Sequence, residues 1–303
     1  SFFFELPLRQ EPEEIICEPK AYLNELMMDD NSGQPSAKEV FDTTPYTILV
    51  VDDNPDMTDF LKRTFEGYFK RIIIAGDGVE ALQLVRSHVP DIIVSDVMMP
   101  RMNGYKLCKT IKEDINISHI PVILLTARDD RQSQISGYKN GADGYLSKPF
   151  EVEMLMELIR NRLKNREYTK KRYLNAGLIP TPEESTISLT DETFLIKLNS
   201  IIQENIDNTN LGIQFICQEV GLGRSSLYNK LKALTGMGAN EYISKLRIEK
   251  AITLISGTDM PFSEIAEKTG FTTPSYFSTA FKQYTGETPS QYKERKKKGL
   301  ADK

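Results

Sequence analysis

Between Tyr46 and Arg166, five short β-branched, apolar runs alternate with longer stretches whose apolar positions recur every three to four residues. The runs lie near Ile48–Asp52, Arg71–Ala75, Ile92–Asp96, Val122–Thr126 and Tyr145–Ser147, and have the length of strands buried on both faces of a parallel sheet. The periodic stretches, near Pro55–Tyr68, Val79–Ser87, Tyr105–Ile115, Asp130–Asn140 and Glu151–Arg166, predict helices. Five strand–helix units joined by right-handed crossovers give a doubly wound α/β fold, a five-stranded parallel sheet of order 2-1-3-4-5. In the last of these helices, Met154, Leu155, Leu158, Ile159 and Leu163 should face the sheet. From Asp191 onward the pattern is helical throughout, so the expected class is α/β followed by all-α.

That second half contains one layout twice. A short helix (Gly212–Val220) is followed by Gly221-Leu222-Gly223 and a second helix (Arg224–Leu234). A short helix (Phe262–Thr269) is likewise followed by Gly270-Phe271-Thr272 and a second helix (Thr273–Tyr284). Glycine in the turn allows the sharp crossing of a helix-turn-helix unit, whose second helix lies in the DNA major groove. A helix expected over Asn240–Ser256 separates the two units. At about 25 Å it is long enough to hold two recognition helices in successive grooves, roughly 34 Å apart.

Chemistry collects where the strands end. ILVVDD ends at Asp52-Asp53, DIIVSD at Asp96, VILLTA at Thr126 and GYLSKP at Lys148, and Met99-Pro100 with Asn103-Gly104 turns the chain after Asp96. Working groups of parallel sheets sit beyond the carboxyl ends of the strands. Any one of these aspartates alone would as readily end a strand or cap a helix. Together they make an acidic cluster with a hydroxyl and an ammonium beside it. Crowded carboxylates repel unless a cation intervenes, and Mg²⁺, a hard oxygen-seeking ion, suits them. One carboxylate could then attack a phosphoryl group, with Thr126 and Lys148 binding its oxygens.

Tyr46 to about Arg166 resembles the receiver domain of two-component response regulators. The motifs are VDDNP (Val51–Pro55), DVMMPRMNG (Asp96–Gly104), LLTA (Leu124–Ala127) and GADGYLSKPF (Gly141–Phe150). The resemblance implies that Asp96 accepts a phosphoryl group from a phosphohistidine, and that Asp52, Asp53, Asp96 and the Met98 backbone carbonyl hold Mg²⁺. It implies that Thr126 and Lys148 bind the phosphoryl oxygens, that Tyr145 changes rotamer as Thr126 moves, and that the Lys148–Pro149 bond is cis. It implies also that the face near the helices at Asp130–Asn140 and Glu151–Arg166 then changes, so that two receivers pair.

Leu195 to Arg295 resembles the AraC/XylS-type DNA-binding domain, most specifically in FSEIAEKTGFTTPSYFSTAFKQYTGETPSQYK (Phe262–Lys293) and more loosely in IQFICQEVGLGRSSLYNKLKALTG (Ile213–Gly236). The resemblance implies that the starts of the two second helices read bases in double-stranded DNA: Arg224, Ser225, Tyr228 and Asn229, then Pro274, Ser275, Tyr276 and Thr279. Asn229 could pair bidentately with adenine, whereas Pro274 offers only shape or methyl contact. Leu227, Leu231, Phe277 and Phe281 are expected to pack inside their units. Residues Asp191–Lys303 carry a net charge of only about +2, so a protein-binding helical bundle is the bland alternative. The basic residues nonetheless cluster at Arg224, Lys230, Lys232, Lys245, Arg247 and Lys282.

Composition sets the remaining bounds. A length of 303 residues favours two domains, and 27% charged residues with 40% hydrophobic residues fit a globular chain. No apolar run is long enough to cross a bilayer, and there is no basic-headed signal peptide. Cys17, Cys108 and Cys217 are odd in number and scattered, which suggests neither a disulfide framework nor a zinc site and fits a cytoplasmic setting. His88 and His119 read as surface or packing residues, and the run Arg160, Arg162, Lys164, Arg166, Lys170, Lys171, Arg172 as a solvated basic face.

The expected division is a strand at 1–8, a linker at 9–45, the receiver at 46–168, a linker at 169–190, the DNA-binding domain at 191–297 and a tail at 298–303. SFFFELPL (Ser1–Leu8) is either a cloning scar or, by resemblance, the last strand of a histidine-kinase ATP-binding domain. Together with a first residue that is not Met, it leads to the expectation of a longer hybrid parent anchored in the inner membrane, its kinase on the same polypeptide. This piece has no ATP-site motifs, makes no membrane contact and is not expected to be an enzyme. The expected function is phosphorylation-dependent, DNA-binding transcription regulation. The alternative is a phosphorelay intermediate or phosphate sink whose helical half docks protein. A small-molecule sensor is a third reading, without a visible pocket sequence.

Overall fold

The computed structural model describes residues 40–127, 141–175 and 188–301. The stretch at 1–8, most of the expected first linker, the helix expected at Asp130–Asn140 and most of the second linker lie outside the described residues. Residues Phe41–Lys303 form one unit.

Five strands, β1 (Thr47–Val51), β2 (Arg71–Ala75), β3 (Ile92–Asp96), β4 (Val122–Ala127) and β5 (Gly144–Lys148), make one sheet in the order β2-β1-β3-β4-β5. Every pairing is parallel, with Val51 opposite Ser95, Asp96 opposite Leu125 and Ala127 opposite Lys148. The expected order is therefore the observed one. Strand residues alternate between two faces. Leu49, Val51, Ile73, Ile93 and Leu124 pack with α2 (Gly78–His88) and α3 (Gly104–Glu113), through Ala81, Val85, Leu107 and Ile111. Ile48, Val50, Ile92, Val94, Ile123 and Leu125 pack with α1 (Pro55–Phe65) and α4 (Val152–Asn175), through Leu61, Phe65, Leu155, Ile159 and Leu163.

Local chemistry sets the helix starts. Asn54 accepts the Asp56 amide and precedes Pro55, whose fixed φ suits a first helical turn. Asp77 accepts the amides of Val79 and Glu80, and Asn103 accepts that of Lys106. At Gly104 the helix begins so close to β3 that a Cβ would lie 2.2 Å from the Asp96 carbonyl oxygen.

Two expectations about α4 change. It runs to Asn175, beyond Arg166, because no glycine or proline interrupts the chain before Gly177. Met154 is 61% exposed while Met156 is buried, because the sheet-facing stripe follows positions 152, 155, 156, 159 and 163 and leaves 154 out of phase.

The helical half has two cores joined by one long helix. α5 (Leu189–Glu204), α6 (Ile213–Val220) and α7 (Arg224–Thr235) bury Phe194, Leu198, Ile216, Leu227 and Leu231 with Tyr242 and Leu246 of α8 (Ala239–Gly257). The far end of α8, through Ile248, Ala251 and Ile255, joins α9 (Phe262–Lys268) and α10 (Pro274–Thr285), which contribute Ile265, Phe277 and Phe281. Tyr292 of α11 (Pro289–Ala301) packs on that second core. Leu227, Leu231, Phe277 and Phe281 are all interior, as expected.

Gly104→Ala is expected to destabilise the α/β half by about 1–3 kcal/mol, since neither the strand carbonyl nor the capped helix start can yield. A urea midpoint equal to that of the wild type would contradict this close approach.

Candidate functional site

The carboxyl ends of β1, β3, β4 and β5 lie side by side, and the sheet register brings the polar ends together. Lys148 Nζ lies 2.9 Å from Asp52 Oδ2 and 2.6 Å from Asp96 Oδ1. Asp52 is 3% exposed, Asp96 7% and Thr126 1%. The Asn54 amide donates to Asp52 Oδ1 and the Met98 amide to Asp96 Oδ2, each at 2.9 Å. Burial alone would lower the Lys148 ammonium, but its hydrogen bonds and attraction to Asp96 and Asp52 outweigh that and hold it above the usual lysine range. The Lys148–Pro149 bond is cis.

Not every expected residue joins this cluster. Thr126 donates its hydroxyl to the Ala127 carbonyl, at 3.2 Å. Asp53 is exposed, Met98 is 72% exposed and Tyr145 is half-buried against the core beside α3. Among the described residues, no three His, Cys, Asp or Glu side chains are gathered so as to hold a metal ion. What is gathered is two buried carboxylates sharing one ammonium. That donor set is all hard oxygen and one negative charge in excess, which suits Mg²⁺ in kind.

The base-reading candidates of the helical half are mostly exposed. Arg224, Ser225 and Tyr228 are exposed at the start of α7, and Asn229 is half-buried. Pro274, Ser275, Tyr276, Thr279 and Lys282 are exposed on α10. Pro274 opens α10 directly after Thr273, whose hydroxyl accepts the Tyr276 amide, so the proline has a helix-starting role whatever it meets outside. The two units are held in register at Gly270. With φ +72°, its Cβ position would lie 2.3 Å from the Ile206 carbonyl oxygen and 2.8 Å from Arg247 Nη2, which itself donates to the Asn208 carbonyl at 2.7 Å.

Comparison with known proteins agrees with both halves. Residues 48–160 match the model of the response regulator receiver domain, and residues 216–295 match a helix-turn-helix domain of AraC type. The chain is 36% identical over 165 residues to the response regulator MprA of Mycobacterium sp. (strain KMS), covering 50% of this chain and 70% of that protein. The chain belongs to the response regulator family. It is also 36% identical over 136 residues to the DNA-binding response regulator MtrA of Mycolicibacterium smegmatis, covering 45% of this chain and 58% of that protein. Over 249 residues, 82% of its length, it is 41% identical to histidine kinase P4 of Formosa agariphila, of which it spans 18%. No helix among the described residues of this response regulator is long and apolar enough to cross a membrane.

Three cations expected at the surface of the response regulator are withdrawn from it. Lys230 is 0% exposed: its Nζ donates to Ser118 Oγ at 2.7 Å and to Asp191 Oδ1, and it lies 5.1 Å from the centre of the Phe194 ring. Ser118 donates to Asp191 Oδ1 at 2.7 Å, and Ser188 to Asp191 Oδ2 at 2.8 Å. Burial alone would raise the Asp191 carboxyl, but the Lys230 ammonium and these hydroxyls hold it below the usual range. Lys245 is 6% exposed and pairs with Glu249 at 3.8 Å. Arg166 is turned inward and mostly covered, donating to the Asp91 carbonyl at 3.1 Å and lying 3.5 Å from the Asp91 carboxylate. His119 is buried beside them. Burial first, then the charges of Arg166 and Lys230, push its imidazole down to about 3, so it packs as a neutral ring.

Sequence reasoning missed the group Ser118, Asp191 and Lys230, although a signal was present. Lys230 stands three residues after Leu227 and four before Leu234, inside the apolar stripe of α7. Lys230→Met alone is expected to cost about 3–5 kcal/mol by leaving the Asp191 charge buried and unpaired, whereas Lys230→Met with Asp191→Asn should recover most of that. Urea unfolding of the two variants measures the difference; equal losses would contradict a buried ion pair.

Proposed function

We propose that the chain is a transcription regulator whose DNA binding is controlled by phosphorylation of Asp96. One observation carries the reading: the buried carboxylate of Asp96, 2.6 Å from Lys148 Nζ, lies in the same unit as two helix-turn-helix units with exposed recognition-helix starts. In this reading a carboxylate oxygen of Asp96 attacks the phosphorus of a phosphohistidine on a histidine kinase. The P–N bond breaks, the imidazole nitrogen keeps the bonding pair and takes up a proton, and an aspartyl phosphate remains. Lys148 then holds charge that develops on the phosphoryl oxygens. The Thr126 hydroxyl exchanges the Ala127 carbonyl for a phosphoryl oxygen, and Tyr145 follows into the space this leaves. Asp52, Asp53, Asp96 and the Met98 carbonyl would hold Mg²⁺, which when bound neutralises phosphoryl charge.

Phosphorylated receivers pair and bring two DNA-binding halves onto repeated sites, so that affinity rises by linkage without new base contacts. Arg224, Ser225, Tyr228 and Asn229 read one groove; Pro274, Ser275, Tyr276, Thr279 and Lys282 meet the next. The likeness to histidine kinase P4 supports a kinase on the same full-length polypeptide, with this part acting in the cytoplasm as a regulator rather than an enzyme. The division into a receiver at 46–168 and a DNA-binding domain at 191–297 belongs to the same proposal.

Phosphoramidate, which carries the P–N bond of the natural donor, supplies the test. With Mg²⁺ present, the wild type is expected to take up one phosphoryl group and to bind a two-site duplex, selected from a random library, on the order of 100-fold more tightly. Asp96→Asn should do neither; uptake by that variant would remove Asp96 from its role. Separately, Tyr228→Ala and Asn229→Ala are each expected to lower discrimination between the selected and a scrambled site by about 1–3 kcal/mol at fixed salt. Unchanged discrimination would exclude those side chains from the readout.

A further inference from the structure

The end of the receiver sheet opposite Asp96 carries the helical half. Ser118 and His119 lie in the segment just before β4, whose other end bears Thr126. The four residue steps from Val122 to Thr126 span about 13 Å. On that amino-terminal side Ser118 is 0% exposed and bonded to both Asp191 and Lys230. Thr190 donates its hydroxyl to the Lys112 carbonyl at 3.0 Å, and Ile115 packs against the core formed by α5, α6, α7 and α8. Helices α4 and α7 also pack against one another. The contact is therefore a built interface with an apolar part and a fully desolvated polar part.

Its place on α7 matters. Lys230, Ala233 and Leu234 face the receiver side, whereas Arg224 and Ser225, more than a turn before Lys230, and Tyr228, on the opposite side of the helix, remain exposed. The docked surface is thus the back half of a recognition helix, and the base-reading start stays free. It also lies at the other end of β4 from Thr126, while Tyr145, paired with Leu124, stands midway between the two ends. A contact of this kind need not be broken for DNA to be read or for Asp96 to be modified.

We propose that Ser118 and Ile115, with the Asp191–Lys230 pair that Ser118 joins, are positioning residues that fix the first helix-turn-helix unit on the receiver, so that receiver pairing dictates the spacing and phase of the DNA sites a pair accepts. This rests on the proposed function, since it requires receivers that pair on phosphorylation. A freely tethered DNA-binding half would tolerate many spacings, because a flexible linker exchanges reach for little free energy. A docked one has a single reach. Rotating one site about the duplex by half a turn, roughly 5 base pairs, then carries it to the wrong face of the DNA.

The experiment uses the full chain with phosphoramidate and Mg²⁺, and duplexes bearing two copies of the selected site at spacings stepped by one base pair through a helical turn. The wild type is expected to favour its best spacing by at least roughly 30-fold over that half a turn away, within the gain that linkage allows. Ser118→Arg and Ile115→Asp change only the receiver side of the contact, leaving every DNA-facing residue and the acidic pocket untouched. Each should keep single-site affinity and phosphoryl uptake while flattening the spacing profile to within about threefold, as a flexible tether would. A flat wild-type profile would overturn the inference without any variant, and so would variants as selective as the wild type. Tighter binding by the unphosphorylated variants would overturn it too, by making the contact inhibitory. A wild type that gains nothing from phosphoramidate would instead remove the proposed function on which the inference stands.

Discussion

A parallel sheet has two unlike ends, and this chain uses both. At the carboxyl end, β1, β3 and β5 bring Asp52, Asp96 and Lys148 within hydrogen-bond reach, so two buried carboxylates share one ammonium. At the amino end, the segment before β4 presents Ser118 to Asp191 and Lys230. Each end solves the same physical problem, the burial of charge, which is tolerable only when the charge is paired and hydrogen-bonded. The strands between are apolar on both faces and transmit position because a close-packed core has few ways to yield.

Much of this was legible along the chain. The strand runs carried their charged residues at the ends and none inside, so the sheet order and the meeting of Asp52, Asp96 and Lys148 followed from topology. The glycines did similar service. Gly104 begins a helix against a carbonyl where no Cβ fits, and Gly270, at φ +72°, closes the second helix-turn-helix turn against Ile206 and Arg247. Pro274 seemed at odds with a base-reading position until its place as the first residue of α10, behind the Thr273 cap, gave it a separate reason to be there.

What escaped was the fate of cations. Lys230, Lys245 and Arg166 belong to residue types that ordinarily stay in water, and a charge count assigns them to the surface. For two of them the partners are distant in sequence: Asp191 for Lys230, at a separation of 39, and Asp91 for Arg166, at a separation of 75. Periodicity within one helix does not carry that information. Thr126 shows the reverse case, a residue in the expected place whose hydroxyl is turned to its own strand. The small positive balance of the helical half also looks different once Lys230 and Lys245 are set aside, for the basic surface left to DNA rests on fewer residues, among them Arg224 and Lys282.

The central claim is that the two ends of the receiver sheet act separately, one changing on phosphorylation while the other stays docked. Hydrogen exchange followed by mass spectrometry, on the full chain with Mg²⁺ and with or without phosphoramidate, tests it most directly. Exchange is expected to change in peptides covering Asp96–Gly104, Thr126 and Gly144–Lys148, and to stay equally slow in those covering Asp114–Ile120 and Leu227–Thr235. Loss of protection in the latter pair on phosphorylation would contradict the account.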